Sequence, residues 1–173
     1  MSPACDDREM TVATLRGDIT KETVDAIVNA ANVRLARGAG VCGAIFAAAG
    51  TRLDDACAAI GHCDTGDAVV TLGFDLPARF VVHTVGPVWH GGGQGEPAQL
   101  ASCYRRSLEV ARDVGARSIA FPAISTGIFG YPARAAAEVA VATVREYAGD
   151  MEVRLVAFDD ETHRLYESLL SAS

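Results

Sequence analysis

No Cys-x-x-Cys pair occurs in the chain: its five cysteines stand scattered at Cys5, Cys42, Cys57, Cys63 and Cys103. An odd, dispersed set argues against a disulfide framework and against a structural zinc site, so reduced thiols and no bound metal are expected. Long apolar runs are missing too, none approaching the roughly 20 residues of a membrane helix. The opening stretch "MSPACDDREM" has acids where a secretory signal has bases followed by an apolar core, so a soluble, cytoplasmic protein without membrane association is expected. Basic residues are in deficit, with a formal net charge of -7 and no basic cluster, which speaks against a nucleic-acid backbone as partner. A small phosphate-bearing ligand stays allowed, because main-chain N–H groups and helix ends hold phosphate without basic side chains.

At 173 residues, half of them hydrophobic, the chain is long enough to bury one ordinary core. Residues 1–9 read as a flexible tail and 10–173 as one domain, with no internal repeat or linker. Short β-rich apolar runs recur at 10–16, 25–30, 67–73, 79–86, 118–123 and 152–158. Stretches with helical period separate them: about 41–60, then 97–115, 132–149 and the C-terminal "DETHRLYESLLSAS". Pro97 and Pro132 sit where first helical turns tolerate proline, and Gly115 and Gly149 where helices close. Strands apolar on both faces, alternating with helices, predict an α/β fold: a three-layer α/β/α sandwich on a largely parallel sheet. "GFDLPARF" (73–80) suits a hairpin between two of the strands, so the sheet is expected to be mixed. The glycine-rich "WHGGGQGEP" (89–97) reads as a mobile surface loop.

In α/β sheets ligands sit outside the carboxyl ends of strands, which directs attention to 29–43 and 123–131. The loop "GAGVCG" (38–43) leaves a strand and opens a helix, where main-chain N–H groups and roughly half an elementary positive charge favour an anion. It lacks the lysine of a phosphate loop and the acidic partner of a dinucleotide fingerprint. A tight turn is the alternative. The second loop, "AISTGIFGYP" (123–132), is built alike, and Ser125, Thr126 and Gly127 offer hydroxyl and amide donors. Two such loops at neighbouring strand ends would grip a diphosphate from both sides. Phe129 stands between glycines, either over a ligand or packed under the loop. Asn29 and Asn32 each carry a donor and an acceptor, as paired ribose hydroxyls require, although Asn29 is the better candidate for fixing the turn. Asp18, in "RGDIT", is either a turn cap or an acceptor for an exocyclic amine.

Taken together and in order, "GDIT", "DAIVNAAN", the glycine loop with its helix, "HTVGP" and "FPAISTGIFGYP" resemble the macrodomain family, which binds ADP-ribose. The resemblance runs from about Met10 to Leu170 and is nearest to MacroD-type mono-ADP-ribosyl hydrolases, which release ADP-ribose from acidic side chains and deacetylate O-acetyl-ADP-ribose. It implies that Asp18 and the Ile19 amide hold adenine, with Phe158 against the ring, although a strand-end phenylalanine by itself suits the core. It implies that Asn32 holds the distal ribose, and that Gly38, Ala39, Gly40 and Val41 enclose the diphosphate from one side. Ser125, Thr126, Gly127, Ile128, Phe129 and Gly130 enclose it from the other, with Phe129 packed on the distal ribose. Asn32, Gly40 and Phe129 are then the residues expected to hold the reacting carbon in place. The subgroup has an aspartate where this chain has Cys42 and a histidine where it has Phe46, and Arg37 and Ala39 interrupt the glycine run. The ligand is therefore expected to be kept while the acid-assisted step is lost, with water positioned by the substrate's own diphosphate. Cys42 borders the ligand as a small buried hydrophobe or as a reactive thiol at a helix start, and is not assigned as a nucleophile. No cofactor is expected, mono-ADP-ribosylated proteins are the expected partners, and the chain is expected to be a monomer. The expected activity is hydrolysis of mono-ADP-ribose from acidic side chains of proteins; a module that reads ADP-ribose without cleaving it is the rival of another class, and an enzyme acting on free O-acetyl-ADP-ribose shares every expected contact.

Overall fold

The computed structural model describes residues 12–172; the N-terminal tail expected over 1–9, and Cys5 within it, lie outside the described residues. Six strands form one sheet: β1 (Val12–Arg16), β2 (Ala26–Ala30), β3 (Ala68–Leu72), β4 (Phe80–Thr84), β5 (Ser118–Phe121) and β6 (Glu152–Ala157). Their spatial order is β1-β6-β5-β2-β4-β3. Every pairing is parallel except β3 with β4, which run antiparallel as the hairpin signal predicts. The five α-helices among the described residues are α1 (Gly40–Ala49), α2 (Thr51–Ile60), α3 (Glu96–Asp113), α4 (Ala133–Tyr147) and α5 (Asp160–Ser171).

The period of two along each strand explains the three layers. On β2, Ala26 and Val28 point into one apolar core and Ile27 into the other; on β4, Val82 and Val81 divide in the same way. One core packs Leu100, Tyr104 and Leu108 of α3, Val144 of α4 and Tyr166 of α5; the other packs Ile45 and Phe46 of α1 with Leu53 of α2. Burial on both faces is the reason the strands read as continuous apolar runs.

Two boundaries differ from the sequence reading. The stretch 41–60 is two helices, because Gly50 adopts φ 91° and its N–H closes α1 on the Phe46 carbonyl at 3.1 Å before a new turn begins. A side chain there would meet the Asp75 carboxylate at 2.9 Å, so the break needs glycine both for its dihedral and for its size. Pro132 is the residue before α4 rather than inside its first turn, whereas Pro97 lies in the first turn of α3. Gly115 and Gly149 follow their helices with φ 85° and 58°, as helix-closing glycines do.

Asn29 does not fix a turn. It is fully buried on β2 opposite His83 on β4, and its Nδ2 lies 3.0 Å from His83 Nδ1. The His83 Nε2 lies 3.0 Å from Thr71 Oγ1, whose own hydrogen goes to the Leu72 carbonyl at 3.0 Å. This pattern fits a neutral imidazole that accepts at Nδ1 and donates at Nε2. Burial pushes the His83 pKa from the ordinary 6.5 down to about 4. The unfolded chain therefore binds one more proton than the folded one between those values, and stability falls as pH drops through the window. The shift corresponds to about 3 kcal/mol, lost progressively from pH 6.5 to 4. Carboxylates held low by hydrogen bonds, such as Asp18 and Asp159, add to the loss only below their own unfolded values near 3.8. Urea unfolding at half-unit steps from pH 7 to 4.5 should show stability already declining; a flat profile there would contradict a buried neutral His83.

Candidate functional site

Four neighbouring parallel strands, β1, β6, β5 and β2, end on the same side of the sheet, and the segments that follow them wall a cleft of about 700 Å³. Gly17, Asp18 and Ile19 come after β1, Ala31 and Asn32 after β2, residues 122–129 after β5, and Phe158 and Asp159 after β6. The N-terminus of α1 closes one side with Gly38, Ala39, Gly40, Val41 and Cys42. All the residues expected from the sequence line this cleft except Gly130, which turns away with φ 76° and closes the loop on the Gly127 carbonyl at 3.0 Å.

Both glycine loops present main-chain donors. Helix α1 begins after Ala39 with no side-chain cap, so its first-turn N–H groups have no partner in the helix. Across the cleft, Tyr131 N donates to the Ser125 carbonyl at 2.8 Å and so draws the loop closed, while the amides of Thr126, Gly127, Ile128 and Phe129 have no acceptor among the described residues. Ser125 is held at φ 69°, a region non-glycine residues rarely occupy, with its Oγ buried and without a hydrogen-bond partner. The loop can sit so low because the residue beneath is Gly86. A Cβ there would lie 2.2 Å from Ser125 Oγ and 2.6 Å from Ile124 Cγ2. No lysine or arginine lines the cleft, and its carboxylates, Asp18 and Asp159, stand together at the β1–β6 end. An anion in the middle would be held by N–H groups and the helix dipole alone.

Asp18 fills the first of the two roles the sequence leaves open, that of a turn cap. Its Oδ1 accepts from the Thr20 hydroxyl at 2.7 Å and the Thr20 amide at 3.0 Å, capping a 3-10 turn over Ile19–Lys21, and these two bonds hold its pKa below the ordinary carboxylate range. Its Oδ2 makes no hydrogen bond among the described residues and stays available at the cleft. Phe158 is not a core residue: it is 88% exposed at the cleft edge. Phe129 belongs to neither apolar core and lies half-buried against the cleft.

Asn32 organises its own loop. Nδ2 donates to the Ala36 carbonyl at 2.8 Å, and Oδ1 accepts from the amides of Ala36 at 3.1 Å and Arg34 at 3.2 Å. One Nδ2 hydrogen remains unused. Cys42 is buried on α1 with its thiol 3.8 Å from the Ala36 carbonyl, facing the Asn32 loop and Gly38. None of the four histidines lines the cleft: His83 is buried in the sheet, His62 pairs with Asp64 at 2.7 Å, His163 lies 3.8 Å from Glu167, and His90 is in the 89–95 loop. Gly17, Gly86, Asp159 and Thr162 also line the cleft and were not singled out in the sequence. Asp159 had a local signal, since it caps α5 by accepting from the Thr162 amide three residues on at 2.8 Å.

A mixed α/β/α sandwich whose strand ends carry two opposed runs of unpaired N–H groups defines a class of nucleotide-phosphate-binding folds. The chain belongs to the Macro domain family: the family model matches residues 28–140. It is 52% identical over 165 residues to a macro domain-containing protein of Chlorobaculum tepidum, covering 93% of this chain and 96% of that one. It is 52% identical over 168 residues to an O-acetyl-ADP-ribose deacetylase of Escherichia coli strain K12, covering 92% and 95%. Among solved structures, the Oceanobacillus iheyensis macrodomain with ADP superposes with a TM-score of 0.87 at 40% identity, covering 91% of this chain and 88% of that one. The Trypanosoma brucei macrodomain in complex with ADP-ribose gives 0.87 at 39% identity, covering 92% and 69%. No described helix is long and apolar enough to cross a membrane.

Proposed function

We propose that the cleft binds ADP-ribose and that the protein hydrolyses esters of its distal ribose. The observation that carries this reading is the pair of loops on two sides of one cleft whose amides lack acceptors among the described residues. Asp18 Oδ2 and the Ile19 amide take the adenine edge, and the exposed Phe158 ring covers its face. The free amides of residues 126–129 and of the α1 start hold the diphosphate, and Asn32 and Phe129 hold the distal ribose. The likeness to the deacetylase supports O-acetyl-ADP-ribose as the first substrate to try. The ester of a glutamate or aspartate side chain on a mono-ADP-ribosylated protein presents similar chemistry, and Ile128, 91% exposed at the cleft rim, leaves that end accessible to a larger substrate.

With no imidazole and no carboxylate at the distal end, the proton of the attacking water goes to a diphosphate oxygen of the substrate. In O-acetyl-ADP-ribose water adds to the ester carbonyl, the acyl–oxygen bond breaks, acetate leaves and the ribose oxygen takes the proton back from the diphosphate. In a glutamyl or aspartyl ester at the anomeric carbon, water adds to that carbon, its bond to the ester oxygen breaks and the side-chain carboxylate leaves. A carboxylate is a good leaving group in the second case, and positioning alone supplies about 7–11 kcal/mol in favourable cases. Incubation with O-acetyl-ADP-ribose, and separately with a protein modified on acidic residues, followed by detection of released ADP-ribose, tests the activity. Tight binding without release from either would leave a reader that does not cleave.

Asp18→Ala should weaken ADP-ribose binding by about 1–3 kcal/mol, since it removes an acceptor from a buried amine. Turnover at saturating substrate should change little, because the adenine end lies far from the reacting ester. Calorimetry with ADP-ribose and AMP checks both halves: AMP should bind much less well than ADP-ribose to the unaltered protein, and both should weaken in the variant. Normal affinity in Asp18→Ala would reduce the residue to its capping role.

A further inference from the structure

The loop over 89–95 lies outside the cleft, yet it is fastened at both ends to parts that matter for it. Glu96, the first residue of α3, is 1% exposed. Its Oε2 accepts from the amides of His90 at 2.7 Å and Gly92 at 3.1 Å, and its Oε1 accepts from the Gln94 amide at 2.6 Å. Burial alone would raise its pKa, but the converging N–H groups outweigh burial and hold it at about 2, so the carboxylate is charged at any ordinary pH. The loop read in the sequence as mobile is therefore pinned from inside. Gly91, Gly92 and Gly95, with φ of 94°, 89° and 83°, let the chain curl so that its amides point inward at one carboxylate.

The other end of the loop is Trp89. Its main-chain N–H donates to the Phe129 carbonyl at 2.8 Å, and its ring packs on Tyr131 with centroids 4.5 Å apart. Among the described hydrogen bonds, the one from Trp89 is alone in tying residues 125–130 to a part of the molecule beyond Tyr131. Gly92 presses on the same ring, where a Cβ would lie 2.9 Å from Trp89 Cη2. A continuous set of contacts thus runs from Glu96 through the loop amides and Gly92 to Trp89, and from Trp89 to the backbone of Phe129.

We infer that Glu96 is a positioning residue of the cleft: by curling the 89–95 loop it fixes Trp89, and Trp89 fixes the loop that faces the diphosphate and distal ribose. The inference rests on the proposed ADP-ribose site, and it predicts an effect confined to one half of it. Glu96→Gln keeps the shape of the side chain but removes its charge and an acceptor. Amide exchange at 126–131 in the unliganded protein should quicken by about tenfold or more, with the exchange of β1 and of residues 17–21 unchanged. ADP-ribose affinity should fall while AMP affinity holds, and kcat on O-acetyl-ADP-ribose should fall by about tenfold to a hundredfold, since misplacement by an ångström costs that much.

If Glu96 serves only to stabilise α3, the melting temperature will drop while exchange at 126–131 and the ratio of ADP-ribose to AMP affinity stay as in the unaltered protein, and the inference is overturned. Equal weakening of AMP and ADP-ribose would overturn it as well. Should Glu96→Gln fail to fold, Gly92→Ala disturbs the same path through the Trp89 ring while leaving the carboxylate in place, and the same measurements decide. An unaltered protein that binds no ADP-ribose would defeat the proposed function instead; the exchange experiment would still tell whether Glu96 sets the 126–131 loop.

Discussion

Asn32→Ala is expected to lower turnover by at least about a hundredfold, more than the loss of a single ribose contact would. The side chain makes three hydrogen bonds within residues 32–36, to the Ala36 carbonyl and from the Arg34 and Ala36 amides. Alanine supplies none of them. The segment between β2 and α1 then loses the conformation that places Gly38 to Val41 along the cleft, and the remaining Nδ2 hydrogen proposed for the distal ribose goes at the same time. Each lost bond is worth about 1 kcal/mol in stability, so the variant should still fold, and the loss should appear in kcat and ADP-ribose affinity together. Asn32→Asp keeps both acceptor bonds but turns the donor to Ala36 into an oxygen facing an oxygen, and should recover little. Near-normal kcat in Asn32→Ala would remove the residue from the site and leave it a turn former.

How far such contacts could be read beforehand depends on the range over which they act. The strands were legible because burial on both faces of the sheet leaves a continuous apolar run, and the β3–β4 hairpin because Gly73 and Pro77 mark its turn. The Gly50 break was hidden inside an alanine-rich stretch with helical period on both sides of it. The two cleft loops are legible through glycine and hydroxyl content at strand ends, and Asn32, Asp18, Phe129 and Phe158 line the cleft. Asn29 reads as a turn former because its partner, His83, is 54 residues away and meets it only through strand register. Gly86 carried no local sign of its importance, since the Ser125 hydroxyl that needs its missing side chain comes from another strand end. Glu96 reads as part of a mobile loop, because a carboxylate that gathers main-chain amides leaves no pattern in side-chain polarity. Composition reports burial and turn chemistry well, but says nothing of which carboxylate a particular run of glycine amides will surround.

Cys42→Ala should retain most of the activity, which separates a filler from a nucleophile. The thiol is 5% exposed, sits beside Gly38 and the Asn32 loop, and has only the Ala36 carbonyl within reach at 3.8 Å. A nucleophilic cysteine needs a base to take its proton or a cation to hold its thiolate; neither an imidazole nor a basic side chain lines the cleft, and the neighbouring Arg37 is paired with Asp54 at 2.8 Å. Alanine removes one sulfur from a well-packed place, at a cost to stability of about 1 kcal/mol or somewhat more, and leaves the amides of α1 where they are. The opposite substitution is the more informative. Cys42→Asp puts a carboxylate in the first turn of α1, where the uncapped N–H groups and the helix dipole favour it by about 0.3–1 kcal/mol. There it would offer the attacking water a second proton acceptor beside the substrate's diphosphate. Turnover at saturating O-acetyl-ADP-ribose should then equal or exceed that of the unaltered protein, while ADP-ribose affinity drops somewhat because a second negative charge faces the diphosphate. Loss of measurable cleavage in Cys42→Ala, with ADP-ribose binding intact, would instead make the thiol the attacking group, and a covalent adduct at Cys42 trapped during turnover would have to account for the missing base.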